Sequence, residues 1–213
     1  MQQRGLVIFD LDGTLFQTVK VSVPAVQSAL RAAGYDPPSE ETVRSFFGRP
    51  PDDFYNWVYA TFPGSTEATV RSIDEWELRL VRERGELYPG VRELLTDLRA
   101  TTEHLAICSN GPGAYVKCVL DTLGLTPLFD IVRWLQEGDR GKPGMVAELL
   151  TRLSGRPGIV IGDRADDIEA AHENGLYAIA SGYGYGKPGE LDGADATAHT
   201  PAELAGLIAG VLG

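Results

Sequence analysis

The apolar residues near the start of the chain form one short continuous run, residues 5–9, which ends at two carboxylates, Asp10 and Asp12. A continuous apolar run of this length predicts a strand buried on both faces, as is typical of a parallel sheet. Similar runs predict further strands at residues 104–108, 129–132, 158–161, 176–180 and 196–198. Helical spacing between them predicts an α/β fold, a doubly wound (Rossmann-like) parallel sheet with helices on both faces.

The segment from residue 16 to residue 86 has a different pattern, because its apolar residues recur only at helical spacing. Ser22 is a candidate N-cap for a first helix, and Ser39 predicts the start of a second helix that ends near Gly48. Further helices are predicted after Pro50 and before Gly85. We therefore expect a small all-α domain over residues 16–86, inserted into a core domain formed by residues 1–15 and 87–213.

The composition narrows the class of protein. The 213 residues carry a formal net charge of −11, which argues against nucleic-acid binding because that usually needs a basic face. An anionic substrate is still compatible with this charge, since a bound metal can invert the local field. No apolar run reaches the roughly 18 residues of a membrane span. Cys108 and Cys118 are interpreted as free thiols, which fits a cytoplasmic location.

Polar side chains lie at the ends of the predicted strands or in adjoining loops, and Lys142 is expected in the loop before a helix. The candidates are Asp10, Asp12, Ser109, Asn110, Lys142, Asp163, Asp166 and Asp167. Alone, each has an ordinary alternative as a turn residue, a helix cap, a solvated lysine or an acidic helix start. Because the carboxyl ends of parallel strands share one edge of a sheet, the groups are expected to converge. Together they supply the nucleophile, the cation and the oxygen ligands for a metal that phosphoryl transfer needs.

In this order the residues resemble the motifs of the haloacid dehalogenase superfamily, in its phosphoglycolate-phosphatase-like branch with an α-helical cap. Residues 9–15 (FDLDGTL) match the first motif, Ser109-Asn110 the second, Lys142-Pro143 the third and residues 162–167 (GDRADD) the fourth. The resemblance covers essentially the whole chain. The helical insert lies where this family places its cap.

The resemblance implies a Mg²⁺-dependent phosphatase that works through an aspartyl-phosphate intermediate. Asp10 would be the nucleophile, Asp12 the acid and base, and Lys142 the cation that steadies Asp10 and the transferring group. Ser109, Lys142 and the backbone N–H groups near Leu11 and Asn110 would hold the phosphate oxygens. The implied metal ligands are Asp10, the main-chain carbonyl of Asp12, Asp163 and Asp167, with Asp166 as the neighbouring alternative to Asp167.

The insert is expected to select the substrate. Arg49 lies in a loop that resembles the substrate-specificity loop of similar caps, where its charge would meet a substrate carboxylate or second phosphate; the alternative is a solvent-facing arginine. Trp57 and the Phe46-Phe47 pair are expected in the core of the insert rather than in a ring-binding platform. Arg164 departs from the family pattern by adding a positive charge near the predicted metal site.

The expected partner is a small phosphorylated metabolite, with phosphoglycolate as the first candidate and a nucleotide or pyrophosphate as alternatives. We expect no nucleic acid and no membrane as partners, and a monomer or homodimer. A phospho-accepting signalling module is the alternative from another class, because receiver domains combine an acidic Mg²⁺ site with a phosphorylated Asp. Such domains are much shorter and have no helical insert after the first strand, so the sequence favours the hydrolase.

Overall fold

The computed structural model describes residues 3–153 and 155–213, so residues 1, 2 and 154 of the predicted core lie outside the described part. The strands are Gln3–Phe9 (β1), Thr102–Ser109 (β2), Ile131–Trp134 (β3), Gly158–Gly162 (β4), Tyr177–Ser181 (β5) and Ala196–Ala198 (β6). The α-helices are Val19–Ala32 (α1), Glu40–Arg44 (α2), Pro51–Thr61 (α3), Glu67–Arg84 (α4), Val91–Thr101 (α5), Gly113–Thr122 (α6), Gly141–Arg152 (α7), Ala165–Glu173 (α8) and Pro201–Leu212 (α9).

The six strands form one sheet in the order β3-β2-β1-β4-β5-β6, and every neighbouring pair is parallel. The central strand β1 shows why its sequence is apolar throughout. Val7 and Phe9 belong to the apolar cluster on one face of the sheet, whereas Leu6 and Ile8 belong to the cluster on the other. The predicted α/β doubly wound parallel sheet is confirmed.

The four helices α1–α4, which we call the helical insert, lie between β1 and β2 in the chain. They enclose an apolar cluster of their own, which includes Val26, Leu30, Val58 and Ile73. α4 packs along α1 and also contacts α6 of the part that contains the sheet. An inserted helical domain would be expected to contain an apolar cluster of its own. The division of the chain into two domains stays a prediction.

Two helix boundaries in the insert differ from the sequence prediction. α1 begins at Val19, not after Ser22, because the backbone of Thr18 is already helical (φ −50°, ψ −37°). The Ser22 hydroxyl donates a hydrogen bond to Glu77 of α4 and is thereby committed to the contact between the two helices. α2 has Ser39 as its N-cap, as predicted, but it ends at Arg44 because the chain continues in tighter turns up to Gly48.

Two further boundaries differ in the part that contains the sheet. Lys142 lies in the first turn of α7 and not in the loop before it. Pro143 does not delay this helix, since backbone N–H groups in a first turn have no partner within the helix. β3 begins at Ile131, two residues later than predicted, because Phe129 follows directly on a short 3₁₀-helix, Thr126–Leu128. Among the described helices, none combines the length and the apolar character needed to cross a membrane.

Candidate active site

The first turn after β1 places Asp10 and Asp12 at the carboxyl edge of the sheet. The backbone N–H of Asp10 donates to the carbonyl of Ile161, 2.8 Å away, which keeps Asp10 beside β4. Gly13 then reverses the chain with a φ of +82°, and a Cβ atom there would lie 2.1 Å from Oδ2 of Asp163. A glycine is therefore needed for both the backbone angle and the close approach of two strand ends.

Three buried carboxylates meet below this turn. One oxygen from each of Asp10, Asp163 and Asp167 lies within 4.8 Å of the others. The ammonium of Lys142 contacts two of them, at 2.7 Å from Oδ1 of Asp10 and 2.6 Å from Oδ1 of Asp167. These four residues, which belong to three separate motifs, are thus brought together.

Burial governs the protonation of this cluster. It raises the pKa values of Asp10, Asp163 and Asp167, and each of these carboxyls is raised further by other carboxylates nearby. Burial opposes the charge of Lys142, but the attraction of Asp10 and Asp167 outweighs it and raises the pKa of the ammonium well above its usual range. The cluster has more negative than positive groups and would be stabilised by a further cation.

The carboxylate cluster fits a hard divalent cation. Oδ2 of Asp10 and Oδ1 of Asp163 are buried and accept no hydrogen bond from the residues that the structure describes. Buried polar atoms are rarely left in this state, and carboxylate oxygens are the ligands that Mg²⁺ prefers. Asp166 lies outside the cluster, because its Oδ2 accepts a hydrogen bond from Asn110 at 2.6 Å. Asp167, and not Asp166, is therefore the residue that belongs to the carboxylate cluster.

Asp12 lies in a different environment from Asp10. Its Oδ1 accepts hydrogen bonds of 2.5 Å from both the Thr18 hydroxyl and the Tyr115 hydroxyl. Burial, reinforced by the charge of Asp10, raises the pKa of Asp12 to about 6. Asp12 can therefore exchange a proton near neutral pH, as a general acid and base must.

Sequence reasoning missed Thr18 and Tyr115. Thr18 follows the first motif closely, and that proximity was its only signal. Tyr115 belongs to α6, which is distant in sequence, and it fits the apolar face of that helix, so nothing in the pattern connected it with Asp12.

The predicted phosphate-binding residues lie around the same edge. Ser109 ends β2 and is buried, and its Oγ accepts a hydrogen bond from the N–H of Gly111 at 3.0 Å. The backbone N–H of Leu11 interacts with the Asp10 carboxylate. The side chain of Asn110 donates to the carbonyl of Gly48 at 2.8 Å, so it also connects this edge to the helical insert.

The glycine-rich segment after β5 closes the site from the other side. The N–H of Tyr185 donates to Oδ2 of Asp163 at 2.6 Å, and its hydroxyl accepts from the N–H of Val19 at 3.0 Å. Gly184 packs so closely that a Cβ atom would lie 2.4 Å from the Cβ of Asp163. Tyr183 donates to the carbonyl of Thr14 at 2.9 Å. This segment therefore fixes Asp163 and the first turn together.

A cavity of about 110 Å³ lies between the helical insert and the sheet edge, and it reaches Asp12. Phe46, Phe47 and Ile73 belong to its apolar wall, whereas Asp74 and Glu77 supply carboxylates. Phe47 belongs to the apolar cluster of the helical insert and Trp57 packs against that cluster, as expected, and both Phe46 and Phe47 also line this cavity. The turn between α2 and α3 brings them to the cavity edge, which helical periodicity could not reveal.

Arg49 lies at the edge of the cavity. Its guanidinium forms a 2.6 Å ion pair with Asp53, and it lies 5.5 Å from the centre of the Phe46 ring. The side chain is 43% exposed, so it retains much of its contact with solvent. A role for Arg49 in substrate recognition stays a prediction, and it would require exchange of the Asp53 partner.

Arg164 connects the insert to the sheet edge. Its Nε lies 2.6 Å from Oε1 of Glu190, and its Nη1 donates to the carbonyl of Phe47. The adjacent carbonyl of Gly48 accepts from Asn110. The positive charge that the sequence placed near the metal site is therefore neutralised by Glu190 and holds the loop of the helical insert.

Comparisons with known proteins agree with this geometry. The family model described as "Haloacid dehalogenase-like hydrolase" matches residues 7–181. A phosphoglycolate phosphatase of Vibrio cholerae is 31% identical over 87% of this chain and 87% of its own length. A tyrosine-protein kinase PtkA of Mycobacterium tuberculosis is 27% identical over 92% of this chain and 68% of its own length. The structure of a predicted phosphoglycolate phosphatase from Haemophilus somnus superposes with a TM-score of 0.82 at 25% identity, covering 98% of this chain and 99% of that one.

Proposed function

Because the chain belongs to the haloacid dehalogenase-like hydrolase family, we propose that it is a Mg²⁺-dependent phosphatase that hydrolyses a small phosphomonoester through a phosphorylated Asp10. The observation that carries the proposal is the pairing of two different carboxyls. Oδ1 of Asp10 is held by Lys142 while its Oδ2 has no partner among the described residues. Asp12, two residues on, has a pKa of about 6.

The first chemical step uses both carboxyls. A carboxylate oxygen of Asp10 attacks phosphorus, and the bond between phosphorus and the leaving oxygen breaks. Asp12, protonated, gives its proton to that leaving oxygen, so an alcohol departs and Asp12 becomes a carboxylate. Thr18 and Tyr115 hold Asp12 in place, because both hydroxyls donate to its Oδ1.

The second step regenerates the site. Asp12 takes a proton from water as the water oxygen attacks phosphorus, and the bond between phosphorus and Asp10 breaks. Inorganic phosphate leaves, and Asp12 is again protonated. Because one residue acts first as acid and then as base, its pKa has to lie near the working pH, which fits the value for Asp12.

Positive charge supports both steps. Bound Mg²⁺ would neutralise the phosphate charge that otherwise repels a carboxylate nucleophile. Asp10, Asp163, Asp167 and the main-chain carbonyl of Asp12 would hold it. Lys142, which contacts Oδ1 of Asp10, would orient this carboxylate and stabilise the negative charge of the transferring group.

The substrate is proposed to be a small metabolite. An apolar cavity of about 150 Å³ holds a benzene molecule, so the cavity of about 110 Å³ beside Asp12 suits a small leaving group, up to about the size of a single ring. A nucleoside is much larger, which favours small phosphomonoesters over nucleotides. Since several relatives are named phosphoglycolate phosphatases, phosphoglycolate is the first natural substrate to assay.

The test is release of inorganic phosphate from p-nitrophenyl phosphate and from phosphoglycolate. We expect activity with Mg²⁺, its loss with EDTA, its recovery on adding back Mg²⁺, and loss of turnover in Asp10→Asn. Asp36→Asn is the matched control, because Asp36 is an exposed residue of the helical insert. Full activity of Asp10→Asn would contradict the mechanism. Because one relative is named a kinase, phosphate found only on protein and never in solution would contradict the hydrolase.

A further inference from the structure

The cavity beside Asp12 contains two carboxylates that the proposed mechanism does not use. Asp74 and Glu77 lie three residues apart in α4 and therefore share one face of that helix. Both line the cavity. The Tyr55 hydroxyl, from α3, donates to Oδ1 of Asp74 at 3.2 Å. The hydroxyls that line the cavity already donate to these carboxyls and to Asp12, so acceptor groups are what remains for a ligand.

Glu77 has spare acceptor capacity. Its Oε1 accepts a hydrogen bond from Ser22, and no donor to Oε2 is found in the part of the chain that the structure describes. Burial raises the pKa of Glu77 to about 8, and the charges of Asp12 and Asp74 act in the same direction. A group with this environment gains from a hydrogen-bond donor or a positive charge beside it.

Among the described residues that line the cavity, the one cationic side chain is already paired. Arg49 also lines the cavity, but its guanidinium lies 2.6 Å from Oδ2 of Asp53. Within residues 3–153 and 155–213, neither Asp74 nor Glu77 forms an ion pair. The cavity therefore presents carboxyl groups to a ligand, without a free positive charge from the described residues that line it. An ammonium bound there would favour the ionised form of Glu77.

We propose that the leaving group of the substrate is compact and carries an ammonium or hydroxyl donor, which Glu77 and Asp74 bind, rather than a carboxylate. This inference rests on the proposed phosphatase activity. Phe46, Phe54 and Ile73 form the apolar wall and contact the carbon atoms of the leaving group. An aminoalkyl or hydroxyalkyl phosphate fits these surroundings.

A carboxylate in the same place is disfavoured for two reasons. It would add a third carboxyl beside Asp74 and Glu77, so it would be repelled by the charge of Asp74 and tolerated beside Glu77 only while Glu77 keeps its proton. Once Glu77 is ionised, it would also lose water without gaining a donor, because Tyr55 and Ser22 already donate to the two carboxyls. Phosphoglycolate carries such a carboxylate, so the inference separates this chain from what the names of its relatives suggest.

Three two-carbon phosphomonoesters of matched size test the inference: 2-aminoethyl phosphate, 2-hydroxyethyl phosphate and phosphoglycolate. We expect kcat/KM for the amino and hydroxy esters to exceed that for phosphoglycolate by about tenfold or more. p-Nitrophenyl phosphate serves as the general substrate. If no ester is hydrolysed, the proposed function fails; if phosphoglycolate is hydrolysed best while the general substrate is turned over, only this inference is overturned.

Glu77→Gln tests the residue itself, because it removes the charge and keeps the shape. The preference is the ratio of kcat/KM for 2-aminoethyl phosphate to kcat/KM for phosphoglycolate. We expect the logarithm of this ratio to fall in the variant to about half of its wild-type value or less, mainly through a higher KM for 2-aminoethyl phosphate. Glu75→Gln is the matched control, since Glu75 belongs to the same helix and is exposed. Asp74→Asn is the second variant, in case Glu77→Gln folds poorly. An unchanged ratio among the three esters in folded Glu77→Gln and Asp74→Asn would overturn the assignment.

Discussion

Asp10 and Asp12 are chemically alike and two residues apart, yet the protein gives them different surroundings. Asp10 contacts Lys142 and lies among the buried carboxylates. Asp12 points toward two hydroxyl donors and the cavity. Nearby titratable groups in contrasting environments are the usual means of assigning a nucleophile and an acid to one site. The roles of the two carboxyls therefore depend on their neighbours more than on the motif itself.

Asp12→Asn separates acid catalysis from nucleophilic attack. The variant keeps the side-chain shape but has no carboxyl proton to donate, so hydrolysis of an alkyl phosphate is expected to fall by about 10²–10⁴-fold. p-Nitrophenyl phosphate releases a leaving group that needs little protonation, so its first step is expected to suffer much less. Rapid-mixing measurement of p-nitrophenol release checks this difference. Equal losses with both substrates would contradict the acid role of Asp12.

The raised pKa of Glu77 predicts how the stability of the protein depends on pH. Its pKa is raised from an ordinary value of 4.5 to about 8 in the folded chain, so the folded state binds more protons than the unfolded state between these values. Its contribution to stability is therefore complete at low pH and is lost as the pH rises from about 4.5 to 8. Each tenfold gain in proton affinity contributes at most ~1.4 kcal/mol. The pKa values of Asp12 and Asp74 are raised as well, so these two carboxyls also make the free energy of unfolding fall as the pH rises.

We therefore expect Glu77→Gln to lose less stability than wild type between pH 5 and pH 8. Urea unfolding at several pH values measures this difference. Glu75→Gln is the control and is expected to follow wild type. A steeper loss of stability in Glu77→Gln would contradict the burial of this carboxyl.

At the scale of elements, the site depends on loops that pack closely at the ends of strands. The segment after β5 contacts Asp163 through the backbone of Tyr185, while Gly13 approaches Asp163 from β1. Glycine at positions 13 and 184 allows these two segments of the chain to approach the Asp163 carboxylate closely. The position of Asp163 is thus determined by segments far apart in sequence.

Gly184→Ala tests this arrangement. The added methyl would lie 2.4 Å from the Cβ of Asp163 and 2.6 Å from its Oδ2, so Asp163 must move. We expect a higher Mg²⁺ concentration for half-maximal activity and a weaker shift of Tm by Mg²⁺. Gly193→Ala is the control, because its methyl would meet only Ile168 at an ordinary distance of 3.6 Å. Unchanged Mg²⁺ dependence in Gly184→Ala would contradict the role of this segment.

The strands were easier to predict than the helix boundaries, for a physical reason. Each buried strand needs apolar residues on both faces, so β1 is visible as an uninterrupted run. The start of α1 depends instead on contacts outside the helix. The Ser22 hydroxyl donates a hydrogen bond to Glu77 of α4, and the N–H of Val19 donates to the hydroxyl of Tyr185. Such tertiary contacts carry no local pattern.

At the scale of the whole molecule, the helical insert and the sheet edge form one site. The consecutive carbonyls of Phe47 and Gly48 accept hydrogen bonds from Arg164 and Asn110, which holds the loop between α2 and α3 over the carboxylates. The family to which the chain belongs explains where the motif residues lie, because the parallel sheet of its fold brings the carboxyl ends of the strands to one edge. The sequence could not indicate which insert residues line the cavity, because that depends on how two separate apolar clusters pack.

The most direct measurement is chemical trapping of the proposed phosphoryl group on Asp10. The protein is mixed with Mg²⁺ and its best substrate, quenched within the turnover time and treated with hydroxylamine, which converts an acyl phosphate to a hydroxamate. Peptide mass spectrometry then locates the modified residue, with Asp10→Asn as the control. We predict a substrate-dependent hydroxamate at Asp10 that is absent from the control. Turnover at full rate with no modification at Asp10 in any quenched sample would contradict the proposed mechanism.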